Sequence, residues 1–298
     1  MTSVISVDAV SRKYRGQLAL DNVSFTVESD SITGLLGRNG AGKTTLLRIV
    51  AGHEFATGGG VRVNDADPVT DEAVLRQMVF VREDQTYPEI RVDQALLIAS
   101  WFYPDWDSDL AESLLAEFNL PPKRRVKKLS RGMRSALGIV IGLAARADVT
   151  LFDEPYAGLD PVARQIFYDR LLGEYAKYPR TILLSTHLID EAAGLLDRVV
   201  VLDQGKLVLD AETDDLRGAA TAVSGPIAAV EEFCAGRTVW NRRPVAAHET
   251  AVVAGAMLDD DRARAAALHL TLESQTLQQV VVHAARANAT ETLERTHA

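Results

Sequence analysis

Cysteine is almost missing from this chain of 298 residues, since Cys234 is the only one. A lone thiol excludes an internal disulfide, and it also excludes a zinc site built on several thiolates. We therefore expect Cys234 to be a buried free thiol.

Long apolar runs are missing as well. A helix that spans a bilayer needs about 20 consecutive apolar residues. The longest run here, Leu137 to Ala145, is far shorter and is flanked by Arg134 and Arg146. The N-terminal residues have neither the basic segment nor the apolar segment of a secretion signal. We expect a chain that stays in the cytosol and does not cross a membrane by itself.

The third missing feature is an excess of cationic residues. Acidic residues number 41 against 32 basic ones, and the formal net charge is -9. Nucleic-acid binding normally rests on a cationic surface, so nucleic acid is not an expected partner. The composition is 47% hydrophobic and 24% charged, which is typical of a folded protein with one large domain or two.

Short β-branched runs alternate with segments of helical period along most of the chain. This alternation predicts an α/β fold with a central, largely parallel sheet. The earliest runs are too close together for crossover helices, so an antiparallel β subdomain is expected near the N-terminus. The predicted strands are Val4–Val7, Phe25–Val27, Ile32–Leu36, Val61–Val63, Val79–Val81, Val149–Phe152, Thr181–Ser185 and Val199–Asp203.

A helical region is expected between the fifth and sixth of these strands. The pattern is helical from Val92 to Phe118, and Pro104 separates two helices. Pro121 and Pro122 end the second helix, because a proline disfavours the helical conformation of the residue before it.

The composition changes after Arg217, and the tail beyond it contains no lysine. We place a domain boundary there, which gives residues 1–217 and a small C-terminal α+β domain of residues 218–298. The residues that predict a hinge at the boundary are Gly218, Ala219, Ala220, Gly225 and Pro226. The tail is predicted to form helices at Ile227–Cys234 and Gln275–Ala287 and strands at Thr238–Trp240, Thr250–Ala254 and His269–Leu272.

The segment after the strand Ile32–Leu36 fits the phosphate-binding pattern G-x-x-x-x-G-K-[ST]. Its glycines let consecutive N–H groups point at phosphate oxygens, and the positive end of the following helix adds to that field. Lys43 supplies a positive charge to the β- and γ-phosphates, and the Thr44 hydroxyl offers a hard oxygen to Mg²⁺. The predicted nucleotide-binding residues here are Gly37, Arg38, Asn39, Gly40, Ala41, Gly42, Lys43, Thr44 and Thr45.

A later strand ends in two carboxylates, those of Asp153 and Glu154. Parallel sheets bind ligands at the carboxyl ends of their strands, which places both groups at the expected site. Asp153 is predicted to hold Mg²⁺, directly or through water. Glu154 is predicted to polarise the water that attacks the γ-phosphate.

These two segments resemble the Walker A and Walker B motifs of the ABC ATPases. Between them, Leu129-Ser130-Arg131-Gly132-Met133 is similar to the ABC signature, usually LSGGQ, and it departs from that pattern at Arg131 and Met133. Ser130 and Gly132, which contact the γ-phosphate in the family, are retained. The resemblance therefore adds both residues to the expected nucleotide site.

Three further positions match motifs of the same family. Asp160, in Ala157-Gly158-Leu159-Asp160, is similar to the aspartate of the D-loop. His187 follows a predicted strand and resembles the switch histidine, which contacts the γ-phosphate. Tyr14 is similar to the aromatic residue that stacks on adenine.

The Q-loop of the family has no direct match. By strand register its glutamine should fall near Glu83, whereas the glutamine nearby is Gln85. Either the loop is shifted, so that Gln85 meets the nucleotide and the metal, or the carboxylate of Glu83 takes its place.

The resemblance covers residues 1 to about 217 and implies an ATPase that uses ATP and Mg²⁺. In the family two cassettes meet head to tail, as a homodimer or a heterodimer, and each ATP lies between Lys43 of one copy and Ser130 of the other. Glu154 then acts on the water, and His187 senses the γ-phosphate. The implied catalytic residues are Lys43, Glu154 and His187.

A single cassette of this kind implies a separate integral-membrane permease, with the chain lying on the cytoplasmic face of the cell membrane. The segments Tyr87-Pro88 and Trp101–Trp106 resemble those of bacterial ABC-2 type exporter ATPases. Export of a drug, an antibiotic or an envelope-related compound is therefore expected. The alternative is an ABC ATPase with a cytosolic role in translation or on DNA.

Overall fold

The computed structural model describes residues 3–284, and within them the chain forms two compact units. The first unit contains the residues up to 187 together with 195–207, and the second contains 188–194 together with the residues from 208 onwards. The domain boundary at residue 218 stays a prediction.

The strands, numbered in chain order, are β1 Ser3–Tyr14, β2 Gln17–Glu28, β3 Ile32–Leu36, β4 Gly58–Val63, β5 Met78–Arg82, β6 Val149–Asp153, β7 Thr181–Thr186, β8 Arg198–Asp203, β9 Lys206–Glu212, β10 Ala220–Pro226, β11 Val239–Val245, β12 His248–Ala254 and β13 Thr271–Ser274. The helices are α1 Lys43–Val50, α2 Glu72–Arg76, α3 Val92–Phe102, α4 Ser108–Glu117, α5 Arg131–Ala144, α6 Pro161–Lys177, α7 Ile189–Ala192, α8 Thr213–Leu216, α9 Ile227–Cys234 and α10 Asp259–Ala267. A 3₁₀ turn covers Val126–Lys128, and a last helix is described over 277–284. All eight predicted strands lie within observed ones.

The antiparallel β subdomain is confirmed as a three-stranded sheet in the order β2-β1-β4. Alternate residues of its strands, such as Ile5, Val7 and Val27, are buried. They join a hydrophobic core that also contains Leu46 and Leu47 of α1. This core anchors the start of α1, which follows the phosphate-binding segment.

The central sheet has six strands in the order β5-β6-β7-β3-β8-β9. The strand pairs from β5 through β8 are parallel, and β3, β6 and β7 are buried along their whole length. Strands covered on both faces have a mostly apolar sequence, as these three segments have. The sheet therefore brings the loops after β3, β5, β6 and β7 to one edge.

The predicted pair of helices is confirmed as α3 and α4, with Pro104 between them. Helix α5 begins earlier than the run of apolar residues suggests, because the Ser130 side chain accepts a hydrogen bond from the Met133 amide and caps the helix. No helix in the described part of the chain is long and apolar enough to cross a membrane.

The second unit contains an antiparallel sheet in the order β11-β12-β10-β13, with α9 and α10 in a βαββαβ sequence. The hinge predicted at the boundary is wrong for Ala220, Gly225 and Pro226, which lie in β10. Only Gly218, with φ of 74°, lies in a turn conformation, and β10 pairs with β12 on one side and with β13 on the other. Small residues let this strand lie in the middle of the sheet, and Ala220 and Val223 are fully buried there.

The other predicted elements of the tail are found with shifted ends. Helix α9 has the predicted bounds, and β11 and β12 contain most of the predicted strands. Strand β13 begins two residues later than predicted, because His269 has a φ of 53° and lies in a turn. The last helix begins at 277, and its predicted end at Ala287 lies outside the described residues. Cys234 is confirmed as a buried free thiol in the core of this unit.

Candidate active site

The phosphate-binding segment forms a tight loop between β3 and α1. Gly37, Gly40 and Gly42 have φ angles of 149°, 81° and 106°, which side chains rarely permit. A Cβ on Gly37 would lie 2.4 Å from the Leu202 carbonyl oxygen, so the loop also needs glycine for close backbone approach. The Ala41 amide closes the turn by donating to the Arg38 carbonyl at 3.1 Å.

Lys43 begins α1, and its side chain is 6% exposed. Its Nζ donates to the Gly37 carbonyl at 2.7 Å and lies 3.3 Å from the Glu154 Oε1. A buried ammonium needs such partners, because its charge is costly without them. The loop carbonyl and the carboxylate therefore hold the Lys43 charge at the point where phosphate oxygens are expected.

Asp153 ends β6 and is 3% exposed. Burial raises the pKa of this carboxyl group, while the Thr44 hydroxyl acts in the opposite direction. The Asp153 Oδ1 is buried without a hydrogen-bond partner among the described residues. The unpaired carboxylate oxygen and the threonine hydroxyl are two hard oxygen ligands. Such a pair fits a magnesium ion whose other ligands are oxygens of phosphate and water.

Glu154 has a φ of 48°, a left-handed conformation that is uncommon for a residue with a side chain. Its amide donates to the Ser185 carbonyl at 3.2 Å, which fixes the turn after β6 against β7. The carboxylate contacts Lys43 through Oε1, and its Oε2 contacts the His187 Nδ1. The structure therefore brings together three residues predicted to be catalytic, Lys43, Glu154 and His187.

The sequence analysis missed Tyr156, which is buried and joins this cluster. Its hydroxyl donates to the Glu154 Oε2 at 3.1 Å and accepts from the His187 amide at 3.1 Å. The only sequence signal for its contact with Glu154 and His187 is its position between Asp153-Glu154 and the predicted D-loop. The type of residue gives no such signal, because a buried tyrosine usually serves packing.

The signature segment packs against the segment after β6. Ser130 caps α5, and a Cβ on Gly132 would lie only 2.3 Å from the Gly158 carbonyl oxygen. The Ser135 hydroxyl donates to the Ala157 carbonyl at 2.6 Å. The predicted D-loop and the start of α5 are therefore one packed assembly.

The two Q-loop candidates have different surroundings. The Gln85 side-chain oxygen accepts from the Arg82 amide at 3.3 Å, within its own loop. The Glu83 amide donates to the Asp153 carbonyl at 3.1 Å, while the Glu83 carboxylate is paired with Arg131 of the signature segment. Glu83 thus directly follows the end of β5 that pairs with β6. The role of Gln85 stays a prediction.

Tyr14 and Asp160 have partners outside the Lys43 cluster. The Arg12 guanidinium lies 4.6 Å from the centre of the Tyr14 ring, and the Tyr14 hydroxyl contacts Glu54. A planar base can stack only on an exposed ring, and Tyr14 is 37% exposed. Asp160 caps α6 by accepting from the Ala163 amide at 2.8 Å. Their nucleotide roles stay predictions.

Comparison with known proteins extends these observations. The model of the ABC transporter family matches residues 20–157. The doxorubicin resistance ATP-binding protein DrrA of Mycobacterium tuberculosis is 33% identical over 222 residues, which cover 72% of this chain and 67% of that protein. The Nod factor export ATP-binding protein I of Ralstonia nicotianae is 32% identical over 222 residues, which cover 72% of this chain and 69% of that protein.

A solved structure described as the ATP-binding subunit of an ABC transporter has the same fold, with a TM-score of 0.64 and 28% identity. The match covers 72% of this chain and 92% of that one. The expected α/β fold with a P-loop and an antiparallel β subdomain is confirmed. The chain belongs to the ABC transporter family as an ATP-binding cassette of the ATPase class.

Proposed function

We propose that this cassette hydrolyses ATP at an interface between two cassettes and thereby drives export through a separate membrane permease. The observation that carries the catalytic part is the contact of Glu154 with both Lys43 and His187 at the carboxyl edge of the parallel sheet. The similarity to a doxorubicin resistance protein and a Nod factor export protein supports export.

Each residue of the cluster has a chemical task in this proposal. Phosphoryl transfer to water needs positioning and charge neutralisation more than covalent chemistry. Lys43 releases the Gly37 carbonyl and neutralises phosphate charge, Glu154 orients the attacking water, and His187 contacts the γ-phosphate. Asp153 and Thr44 are the residues that would hold Mg²⁺, which when bound neutralises charge on the phosphate oxygens.

The signature segment supplies the second half of the site. Ser130 and Gly132 start α5, whose amino end favours an anion. In our proposal this end faces the ATP held by the Lys43 loop of a second cassette, either an identical copy or a related ATPase. Closure of the two cassettes then depends on ATP, and hydrolysis reopens them.

The test of the catalytic assignment is Glu154→Gln in the full chain. This variant is expected to bind ATP, to lose at least about 99% of the hydrolysis rate, and to form a dimer that depends on ATP. Size-exclusion chromatography with light scattering and a phosphate-release assay measure both properties. Glu72→Gln, on the exposed face of α2, is the matched control. Wild-type hydrolysis by Glu154→Gln would show that Glu154 has another role.

The transport part of the proposal needs a separate measurement. The chain, tagged at its N-terminus, is expected to co-purify from detergent-extracted membranes with a multi-span protein in stoichiometric amount, as identified by mass spectrometry. That result would also show that the chain is part of a membrane complex. Recovery with ribosomal or other cytosolic proteins alone would contradict the transport role and support the cytosolic alternative.

A further inference from the structure

The hydroxyl of Tyr156 lies at the centre of the polar contacts around Glu154. The residue is 3% exposed, and its oxygen has three neighbours within hydrogen-bond distance. They are the Glu154 Oε2 at 3.1 Å, the Thr186 Oγ1 at 2.6 Å and the His187 amide at 3.1 Å. One phenol thus connects the end of β6 with the end of β7.

The donor and acceptor count of a phenol fixes the direction of these bonds. A tyrosine hydroxyl has one proton and accepts through its lone pairs. The His187 amide is a donor only, and the Glu154 carboxylate is an acceptor only. The phenol therefore gives its proton to Glu154 and accepts from His187, and the Thr186 hydroxyl donates the third bond. In this arrangement the phenol proton and both acceptor positions of the phenol oxygen are used.

The surroundings of the Tyr156 hydroxyl favour its protonated form. Burial raises the pKa of Tyr156, and the adjacent Glu154 charge adds to the effect. The phenol therefore holds its proton more tightly than an exposed tyrosine does. The Tyr156 ring is also packed edge to face against the His187 ring, with centroids 5.9 Å apart.

We propose that Tyr156 is a positioning residue for ATP hydrolysis, which holds the Glu154 carboxylate toward the attacking water and fixes the His187 backbone. Glu154 needs such a restraint because its φ of 48° is disfavoured for a residue with a side chain. The inference rests on the proposed role of Glu154. It adds a residue that acts through Glu154 and His187 and does not itself touch the nucleotide.

The test is Tyr156→Phe in the full chain, which removes the hydroxyl and keeps the ring. We expect kcat to fall about ten- to hundredfold, the loss typical of a hydrogen bond to a charged group, with KM for ATP within about twofold of wild type. Tyr168→Phe is the matched control, because Tyr168 is also buried and its ring packs 6.4 Å from the Tyr156 ring.

The split between kcat and KM separates positioning from general damage to the fold. The side chains of Lys43 and His187 contact the Glu154 carboxylate, and Tyr156→Phe leaves both unchanged. The variant removes only the hydrogen bond that restrains this carboxylate and the acceptor of the His187 amide. A lower kcat with an unchanged KM for ATP is therefore expected in Tyr156→Phe, and neither constant is expected to change in Tyr168→Phe.

A second readout does not depend on activity. Hydrogen exchange of the peptide that contains the His187 amide is expected to accelerate in Tyr156→Phe, because that amide loses its acceptor, and to remain unchanged in Tyr168→Phe. If exchange and kcat of Tyr156→Phe both match wild type, the positioning role is refuted. An unchanged rate in Glu154→Gln would instead refute the role of Glu154, whatever Tyr156→Phe does.

Discussion

Asp153 keeps a carboxylate in almost complete burial, with one oxygen unpaired among the described residues. Burial raises its pKa above the unfolded-state value, so the native state holds the proton more tightly than the unfolded chain. The stability contributed by this group is present at low pH and is lost as pH rises through the folded-state pKa. The residue that we propose as a magnesium ligand is thus costly in the free protein.

Asp153→Asn is therefore expected to stabilise the nucleotide-free chain and to abolish magnesium-dependent hydrolysis. The melting temperature at pH 7 should rise by about 2–4 °C, which corresponds to about 1 kcal/mol for a domain of this size. The gain should shrink as the pH falls, because protonation of the wild-type carboxyl group removes the cost of its buried charge. Calorimetry at pH 7 and at lower pH measures the effect.

The control for this prediction is Asp148→Asn, at the exposed residue just before the same strand. It should change neither the melting temperature nor the ATPase rate. A destabilised Asp153→Asn protein at pH 7 would contradict the account, since it would show that the carboxylate is favourable in the free fold.

Residue types and spacing were enough to predict Lys43, Asp153 and Glu154, because phosphate and magnesium chemistry needs a cation and hard oxygens after particular strands. They were not enough to predict Tyr156. Its proposed role depends on the left-handed turn at Glu154, which brings residues 154, 156 and 187 together. No periodicity in the sequence encodes that turn.

At the scale of elements, the contact between the start of α5 and the segment after β6 depends on the absence of side chains. Gly132 lies against the Gly158 carbonyl oxygen, and Gly158 itself has a φ of 79°. The resemblance assigns Gly132 to the γ-phosphate. The packing gives the same residue a second task, which is to let the signature segment and the predicted D-loop approach each other.

Gly132→Ala is expected to move the backbone of residues 157–159 and to lower the free energy of unfolding by about 1–3 kcal/mol. The ATPase rate should fall with it, because Glu154 lies in the same turn. Chemical denaturation and a phosphate-release assay measure the two effects. Gly173→Ala in α6 is the matched control, since a Cβ there meets open space and alanine favours a helix. Equal stability of the two variants would refute the packing role.

The prediction of elements succeeded where burial is continuous and failed where small residues are buried. The strands β3, β6 and β7 read as apolar runs, and all three were predicted. The segment of β10 reads as a hinge because it is rich in alanine and glycine, yet it lies between two partner strands. Local composition cannot distinguish a flexible linker from a strand that needs small side chains for close packing.

At the scale of the whole molecule, the residues just after His187 belong to the second compact unit, together with the residues from 208 onwards. Within that unit, Asp190 of α7 caps the last helix. Its Oδ1 accepts from the Gln278 amide at 3.0 Å, and its Oδ2 accepts from the Thr276 hydroxyl at 3.1 Å. The segment that directly follows His187 is thus held by hydrogen bonds to C-terminal residues.

Asp190→Ala is expected to loosen this segment and, through the chain, the position of His187. Loss of a helix cap costs about 1 kcal/mol, so the second unit should melt a few degrees earlier. Hydrogen exchange of residues 186–194 should accelerate, and kcat should fall more than the affinity for ATP. Asp215→Ala, at an exposed carboxylate in α8 of the same unit, is the control. Deletion of residues 219–298 should reproduce the kinetic effect, because it removes both partners of Asp190. An ATPase rate unaffected by both changes would show that the C-terminal residues do not influence His187.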